Sequence, residues 1–367
     1  MTRRFLKVIV AVIGLCVTGC ESRPAIDTVP PATDHQPPTT DSTLFRYVFD
    51  IPNEYINDHC LVYDGRLWHL YFIEGFQSTT DVWYRDSNET LIGHATSRDL
   101  LDWKLESPAL RTGPTGSLDE GHVIAPNVIE RDGLYYMFYG GKEGHVAYRG
   151  GEHMLLATST DLYNWNRYSA SPIHRPDTSW AWYRPAGYLG SSGGPVSFRD
   201  AHLLADSAYG YILYYVAQLR RNPAKGTYDG DYSCIAAATS RDLVHWVDRG
   251  PLVVRKSLGT EANDRAHPES PCVIKREGIY YLFWTSGNGT RYVFGNDPLH
   301  FFDEGETFLA TSHASEIFEW KGRWYITSCS RAVNDILHKY SDRTRGLFLA
   351  AIKWDGTRPY VAKLEDI

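Results

Sequence analysis

The feature that most constrains this chain is a phrase that recurs five times. A strand, a tight turn and an aromatic-rich strand appear in "NDHCLVYDGRLWHLYFIEG" from Asn57, "APNVIERDGLYYMFYGG" from Ala125, "RDAHLLADSAYGYILYYVAQ" from Arg199, "ESPCVIKREGIYYLFWTSG" from Glu269 and "ASEIFEWKGRWYITSCS" from Ala314. Gly65, Gly133, Gly210, Gly278 and Gly322 mark the turns, and Asp64-Gly65 and Asp132-Gly133 are hairpin dipeptides because both residue types tolerate positive φ. Each unit has a second half. "GHATSRDLLDWK", "LLATSTDLYNWNRY" and "AAATSRDLVHWVDRG" share A-T-S-x-D-L-x-x-W, which decays to "FGNDPLHFF" and "LFLAAIKWDG" in the last two units. This reads as a short apolar strand, a polar turn capped by Ser and Asp, and a Trp opening another strand. Four strands per unit and five units predict an all-β fold, a five-bladed β-propeller with four antiparallel strands per blade. Trp103, Trp165 and Trp246 are expected to pack between blades.

Aromatics make up 14% of the 367 residues, with 11 Trp and 25 Tyr, an enrichment that suits strands. The N-terminus is a different kind of segment. "MTRRFLKVIVAVIGLCVTGC" has Arg3, Arg4 and Lys7, then an apolar stretch too short to span a bilayer comfortably, then small residues before Cys20. Val17-Thr18-Gly19-Cys20 resembles the bacterial lipobox, which implies removal of residues 1–19, acylation of Cys20 and a cell-envelope location. Glu21 in place of an aspartate favours an outer membrane where the cell has one. The Pro/Thr-rich stretch from Glu21 to Thr43 predicts a semi-extended tether within residues 20–44, on the order of 70 Å at about 3.1 Å per residue. Residues 45–367 then form the propeller, and no C-terminal β-sandwich is expected after the fifth unit.

Removing residues 1–19 takes away three positive charges, so the net charge of −7 becomes −10. That excludes nucleic acid and anionic polymers as main partners and suits a neutral ligand. The membrane is expected to be touched only through the lipid, and the protein is expected to be a monomer. Cys60, Cys234, Cys272 and Cys329 remain in the body without a CxxC pair or zinc spacing. Export permits disulfides, but the spacing selects no pairing.

An unpaired buried carboxylate is costly, so acids at the mouths of apolar strands call for a reason. The first strand of each propeller blade lines the axis. Aligning the repeats puts Asp58 of unit one and Asp200 of unit three at equivalent positions. Glu269 falls two residues before Pro271, which aligns with Pro126 of unit two. Three acids from different blades thus converge on one mouth. Glycosidic cleavage needs a carboxyl of raised pKa to protonate the leaving oxygen and an ionised partner as nucleophile or base. A third carboxylate can bind sugar hydroxyls and hold the acid protonated by repulsion. The competing reading is that these acids are ion-paired in the channel with Arg199, Arg265 or Arg331.

The chain resembles the five-bladed propeller glycoside hydrolases of families 32, 68, 43 and 62, over roughly residues 45–367. Asn57-Asp58 resembles the Asn-Asp of family 32, which implies Asp58 as nucleophile and Asn57 in sugar binding. Phe198-Arg199-Asp200 is similar to the Arg-Asp-Pro motif, implying that Arg199 and Asp200 grip sugar hydroxyls and stabilise the transition state. Glu269-Ser270-Pro271 resembles Glu-Cys-Pro of family 32 and Glu-Gly-Pro of family 43, implying Glu269 as the general acid. The chain departs from family 32 where His59 and Ala201 replace prolines. The Asn-Asp and Arg-Asp matches favour retention over the inversion of families 43 and 62.

Two aromatic loops, Asp81 to Glu89 and Asp177 to Gly194, are candidate sugar platforms, with Trp182 the stacking residue. His313 and Glu316 of unit five are candidate substrate ligands, or they hydrate a cation in the central channel, as a His does in some family 43 members. No cofactor is expected beyond such a structural cation. The reading is a glycosidase that cleaves O-glycosidic bonds of furanosides, of fructoside or arabinoside type, in oligo- or polysaccharides. The alternatives are a non-catalytic carbohydrate-binding lipoprotein of the same fold and a protein-interaction propeller.

Overall fold

The computed structural model describes residues 42–76, 88–143, 152–169, 171–182, 198–219, 232–256, 268–286, 289–329 and 346–366. The signal segment, Cys20, the tether up to residue 41, Arg265, Arg331 and most of both aromatic loops lie outside them. Five antiparallel sheets make up the body. Their innermost strands are Glu54–Tyr63, His122–Arg131, Phe198–Asp206, Glu269–Arg276 and Glu316–Trp320. Each touches the next in turn, and the fifth returns to the first. This closed circuit is the expected five-bladed β-propeller.

The repeat is explained by what its residues do. Asp132-Gly133, Glu277-Gly278 and Lys321-Gly322 are two-residue hairpin loops with both φ positive, between 51° and 83°. That is the turn whose twist matches the flanking strands. In the A-T-S-x-D-L phrase the hydroxyls of Ser97, Ser159 and Ser240 each accept the N–H of Leu100, Leu162 or Leu243 at 2.9 Å. Asp99, Asp161 and Asp242 accept the next two amides. These three leucines take left-handed φ of 69°, 65° and 67°. Leucine rarely adopts that conformation, but here each side chain is buried, so packing and the serine bond together hold it.

The core consists of layers between blades. Along Ile279–Ser286 of the fourth blade, Tyr281 and Phe283 pack with blade five, while Leu282 and Trp284 pack with blade three. Both faces of the strand are buried, which is why the segment reads as one continuous apolar run. Trp246 sits edge-on to Phe138 of blade two, Trp165 to Tyr71 of blade one, and Trp103 lies against Phe49. All three are inter-blade residues, as expected. Four strands per blade is a minimum: Leu110–Arg111 extends blade one and Ala181–Trp182 extends blade three. Arg46–Phe49, upstream of the first repeat, pairs with Leu347–Leu349 of the last blade beside Arg358–Ala362.

The turn glycines differ in what surrounds them. At Gly278 (φ 83°) an added Cβ meets nothing within 4 Å, whereas at Gly210 (φ 85°) it lies 2.6 Å from the Ser240 carbonyl oxygen. Gly278→Ala is therefore expected to cost only the left-handed penalty of about 1–2 kcal/mol, and Gly210→Ala clearly more. Urea unfolding midpoints measure the difference; equal losses would contradict this account of the turn.

Candidate active site

The innermost strands kink where they reach the mouth. In blades two, three and four, two residues face one at this point, between Ile124 and Asn127, Arg199 and His202, and Glu269 and Cys272. The first bulged residue is left-handed in each: Ala125 (45°), Asp200 (57°) and Ser270 (49°). Ala314 (48°) takes the same conformation just before the strand of blade five, and Asp58 is the single extra residue of blade one. A bulge bends the strand and re-aims its side chains. Aspartate is among the non-glycine residues that tolerate this region best. Pro126 and Pro271 occupy bulge positions, where the missing N–H breaks no ladder bond.

These kinks line one cleft of about 260 Å³ with Asp58, His59, Asp200, Ser270 and Glu316 as its polar groups and with Ala125, Pro126, Ala201, Pro271 and Ala314 as its apolar wall. Two of the predicted acids, Asp58 and Asp200, line it, and Glu269 stands beside it, next to Ser270. The Ser270 hydroxyl donates to Asp58 Oδ1, and its backbone N–H donates to Asp200 Oδ2 at 3.0 Å. Arg199 Nη2 donates to Glu269 Oε1 at 3.3 Å, and Arg199 Nε lies 3.8 Å from Asp200 Oδ1. Glu269 stands at the rim with its side chain 35% exposed, while Asp200 is buried.

Charge in this cluster is unevenly held. Burial, and then the neighbouring Asp58 and Glu269 charges, push the Asp200 carboxyl well above the usual range, with Arg199 opposing. Burial works against the Arg199 charge, but Glu152, Asp200, Glu269 and Asp58 outweigh it and keep the guanidinium protonated. His59 is held neutral by burial, its pKa lowered to about 4, and its Nε2 lies 2.7 Å from Thr327 Oγ1.

The other predicted residues divide. Glu316 lines the cleft. His313 occupies the register position of Arg199 and Glu269, one residue before a left-handed partner, and is buried with its N–H on Ser328 Oγ. Asn57 does not line the cleft; its Oδ1 accepts from Cys329 Sγ at 3.5 Å, in the inter-blade core. Trp182 pairs with Gln218, one register step past the Phe198–Ala217 pair, at the mouth end of blade three. The four body cysteines are buried free thiols, with no disulfide.

Two contributors went unread. Glu152, buried at the start of the third strand of blade two, accepts from Arg199 Nη1 at 3.2 Å and from the Phe198 N–H at 2.9 Å. It pairs in register with the buried Lys142, whose pKa burial lowers. An acid heading the apolar run "EHMLLATS" poses the same question as Glu269 and signals its role. Ser270, which has no assigned role in the motif Glu269-Ser270-Pro271, ties two of the acids together.

No protein-family model matches the chain. It is 25% identical over 267 residues to the β-fructofuranosidase insoluble isoenzyme CWINV5 of Arabidopsis thaliana, covering 65% of this chain and 44% of that protein, so it spans less than half of that relative. The fold is similar to the GH32 β-fructofuranosidase BmSUC1 of Bombyx mori, with a TM-score of 0.63 at 18% identity over 88% of this chain and 66% of that one. It is also similar to a thermostable family-43 glycoside hydrolase, with a TM-score of 0.59 at 16% identity over 86% of this chain and 96% of that one.

Asp200 sets a test by pH. Because its folded pKa is raised, it supports folding below the unfolded carboxyl value of about 3.9, and that support is lost as pH rises through the folded value. Asp200→Asn keeps the shape and an acceptor for the Ser270 amide but carries no charge. Its unfolding midpoint is expected above wild type at pH 7, with the gap closing toward pH 3. A variant less stable than wild type at pH 7 would show that the buried carboxylate is not under strain.

Proposed function

We propose that this chain is a glycosidase that hydrolyses O-glycosidic bonds of furanosides, of fructoside or arabinoside type, in oligo- or polysaccharides. The observation that carries the reading is that Asp58 and Asp200, from two blades, line one cleft and are joined through Ser270, while Arg199 joins Asp200 to Glu269 of a third blade beside it. The β-fructofuranosidase likeness at 25% identity supports the substrate class.

In this mechanism Glu269, at the exposed rim, gives its proton to the glycosidic oxygen as the bond to the anomeric carbon breaks. Asp58, deeper in the cleft, attacks that carbon from the opposite side and forms a glycosyl ester. Glu269, now a carboxylate, takes a proton from water, whose oxygen displaces Asp58 and regenerates both acids with the anomeric configuration retained. Asp200 and Arg199 hold the sugar hydroxyls. Arg199 also keeps the acids from repelling one another apart. The likeness of Val17-Thr18-Gly19-Cys20 to a lipobox supports a reading in which the chain is exported, acylated at Cys20 and held at the cell envelope.

The test is a panel of nitrophenyl furanosides and fructan or arabinan oligosaccharides, with the product anomer read by NMR. Turnover with retained configuration is expected. Glu269→Gln should lose about 10²- to 10⁴-fold in kcat on substrates with poor leaving groups, and Asp58→Asn should lose at least as much on every substrate. Saccharide binding without turnover in wild type would make the chain a carbohydrate-binding protein instead.

A further inference from the structure

Beneath the cleft floor, three side chains from three blades face one another in an arrangement that none of the acid chemistry uses. His202, two residues past Asp200, is buried, and its Nε2 lies 3.1 Å from the Val273 carbonyl oxygen. A carbonyl oxygen only accepts, so Nε2 carries the ring hydrogen and Nδ1 presents a lone pair. That Nδ1 is buried and has no hydrogen-bond partner among the described residues. The charged group opposite it is another acceptor, Glu316 Oε2, at 3.9 Å. Cys272 is fully buried; its Sγ accepts the Ile317 N–H at 3.3 Å and donates to the Ile317 carbonyl oxygen at 3.8 Å. One imidazole nitrogen, one sulfur and one carboxylate oxygen all lie within 4.8 Å of one another.

We propose that His202, Cys272 and Glu316 bind one divalent transition-metal ion of the zinc class. A lone pair and a carboxylate facing each other inside a protein need something positive between them. The thiol decides what that is, because sulfur ligands favour zinc-like ions over calcium or magnesium. Metal–ligand bonds of about 2.0–2.3 Å place tetrahedral ligand atoms roughly 3.3–3.8 Å apart, so a contraction of about 1 Å completes the set. The carbonyl bond to Nε2 is the outer contact that commonly orients a metal-binding histidine. On binding, the Cys272 thiol gives its proton to solvent; thiolate and carboxylate then balance the two charges of the ion. Glu316 also lines the cleft, so the fourth position, held by water, faces the substrate chamber. The sequence reading set a hydrated cation between His313 and Glu316; this site keeps Glu316 but takes its nitrogen from His202 and adds sulfur.

The site joins blades three, four and five, and its test is independent of hydrolysis, so its failure would leave the glycosidase reading standing. Detergent-solubilised full-length protein, stripped with a chelator and titrated with cobalt(II), is expected to bind one ion per chain. It should show a sulfur-to-cobalt charge-transfer band in the near ultraviolet, and zinc should displace the cobalt and raise the thermal midpoint. Cys272→Ser should lose the band, and His202→Gln should weaken binding at least tenfold. If either variant fails to fold, wild type alone decides, through its stoichiometry, its band and its preference for zinc over calcium. Absence of stoichiometric binding, a band that persists in Cys272→Ser, or stabilisation by calcium and not by zinc would each overturn the proposal.

Discussion

The cleft depends on one half-buried guanidinium. Asp58, Asp200, Glu269 and Glu152 all raise the charge affinity of Arg199, and three of these acids lie within 4 Å of it. Two like charges about 4 Å apart repel by roughly 4 kcal/mol at the effective dielectric of a partly buried site, so this many carboxylates could not share a mouth unaided. Arg199 makes the crowding tolerable. Glu152 in turn fixes Arg199 from the adjacent blade while holding the Phe198 amide, so the backbone that carries Asp200 and the cation that serves it have one common anchor. The remaining strain is concentrated on Asp200, the most deeply placed of the three acids.

The same cluster shows why ring closure and chemistry cannot be separated. Each bulge is a local event, two residues against one, yet none of them makes a site alone. Blade one supplies Asp58, blade three Arg199 and Asp200, blade four Glu269 and Ser270, and blade two the hidden support. A shift of one blade by a single register step would turn these side chains into the apolar layers on either side.

Much of this was legible from the repeat. The five glycines read as turns all have positive φ, and the acids singled out by comparing copies do meet, because a propeller converts equivalent positions in sequence into neighbours around an axis. What escaped was whatever broke the repeat or was hidden by it. Glu152 belongs to a third strand, where the comparison of first strands never looked. Asn57 was assigned from its neighbour, but adjacent residues of a strand point to opposite faces, and its carboxamide oxygen is engaged with Cys329. The left-handed leucines were invisible because propensity argues against them; only tertiary burial makes them possible.

The strand Arg46–Phe49 carries a further consequence for how the protein is made. It precedes every repeat along the chain, but its partner Leu347–Leu349 lies in the fifth unit, some 300 residues later. Until the fifth blade is made, Arg46–Phe49 remains an unpaired edge able to pair with a neighbouring chain, and blade five is incomplete without it. Chaperone capture and crowding during folding would therefore act most strongly on this seam.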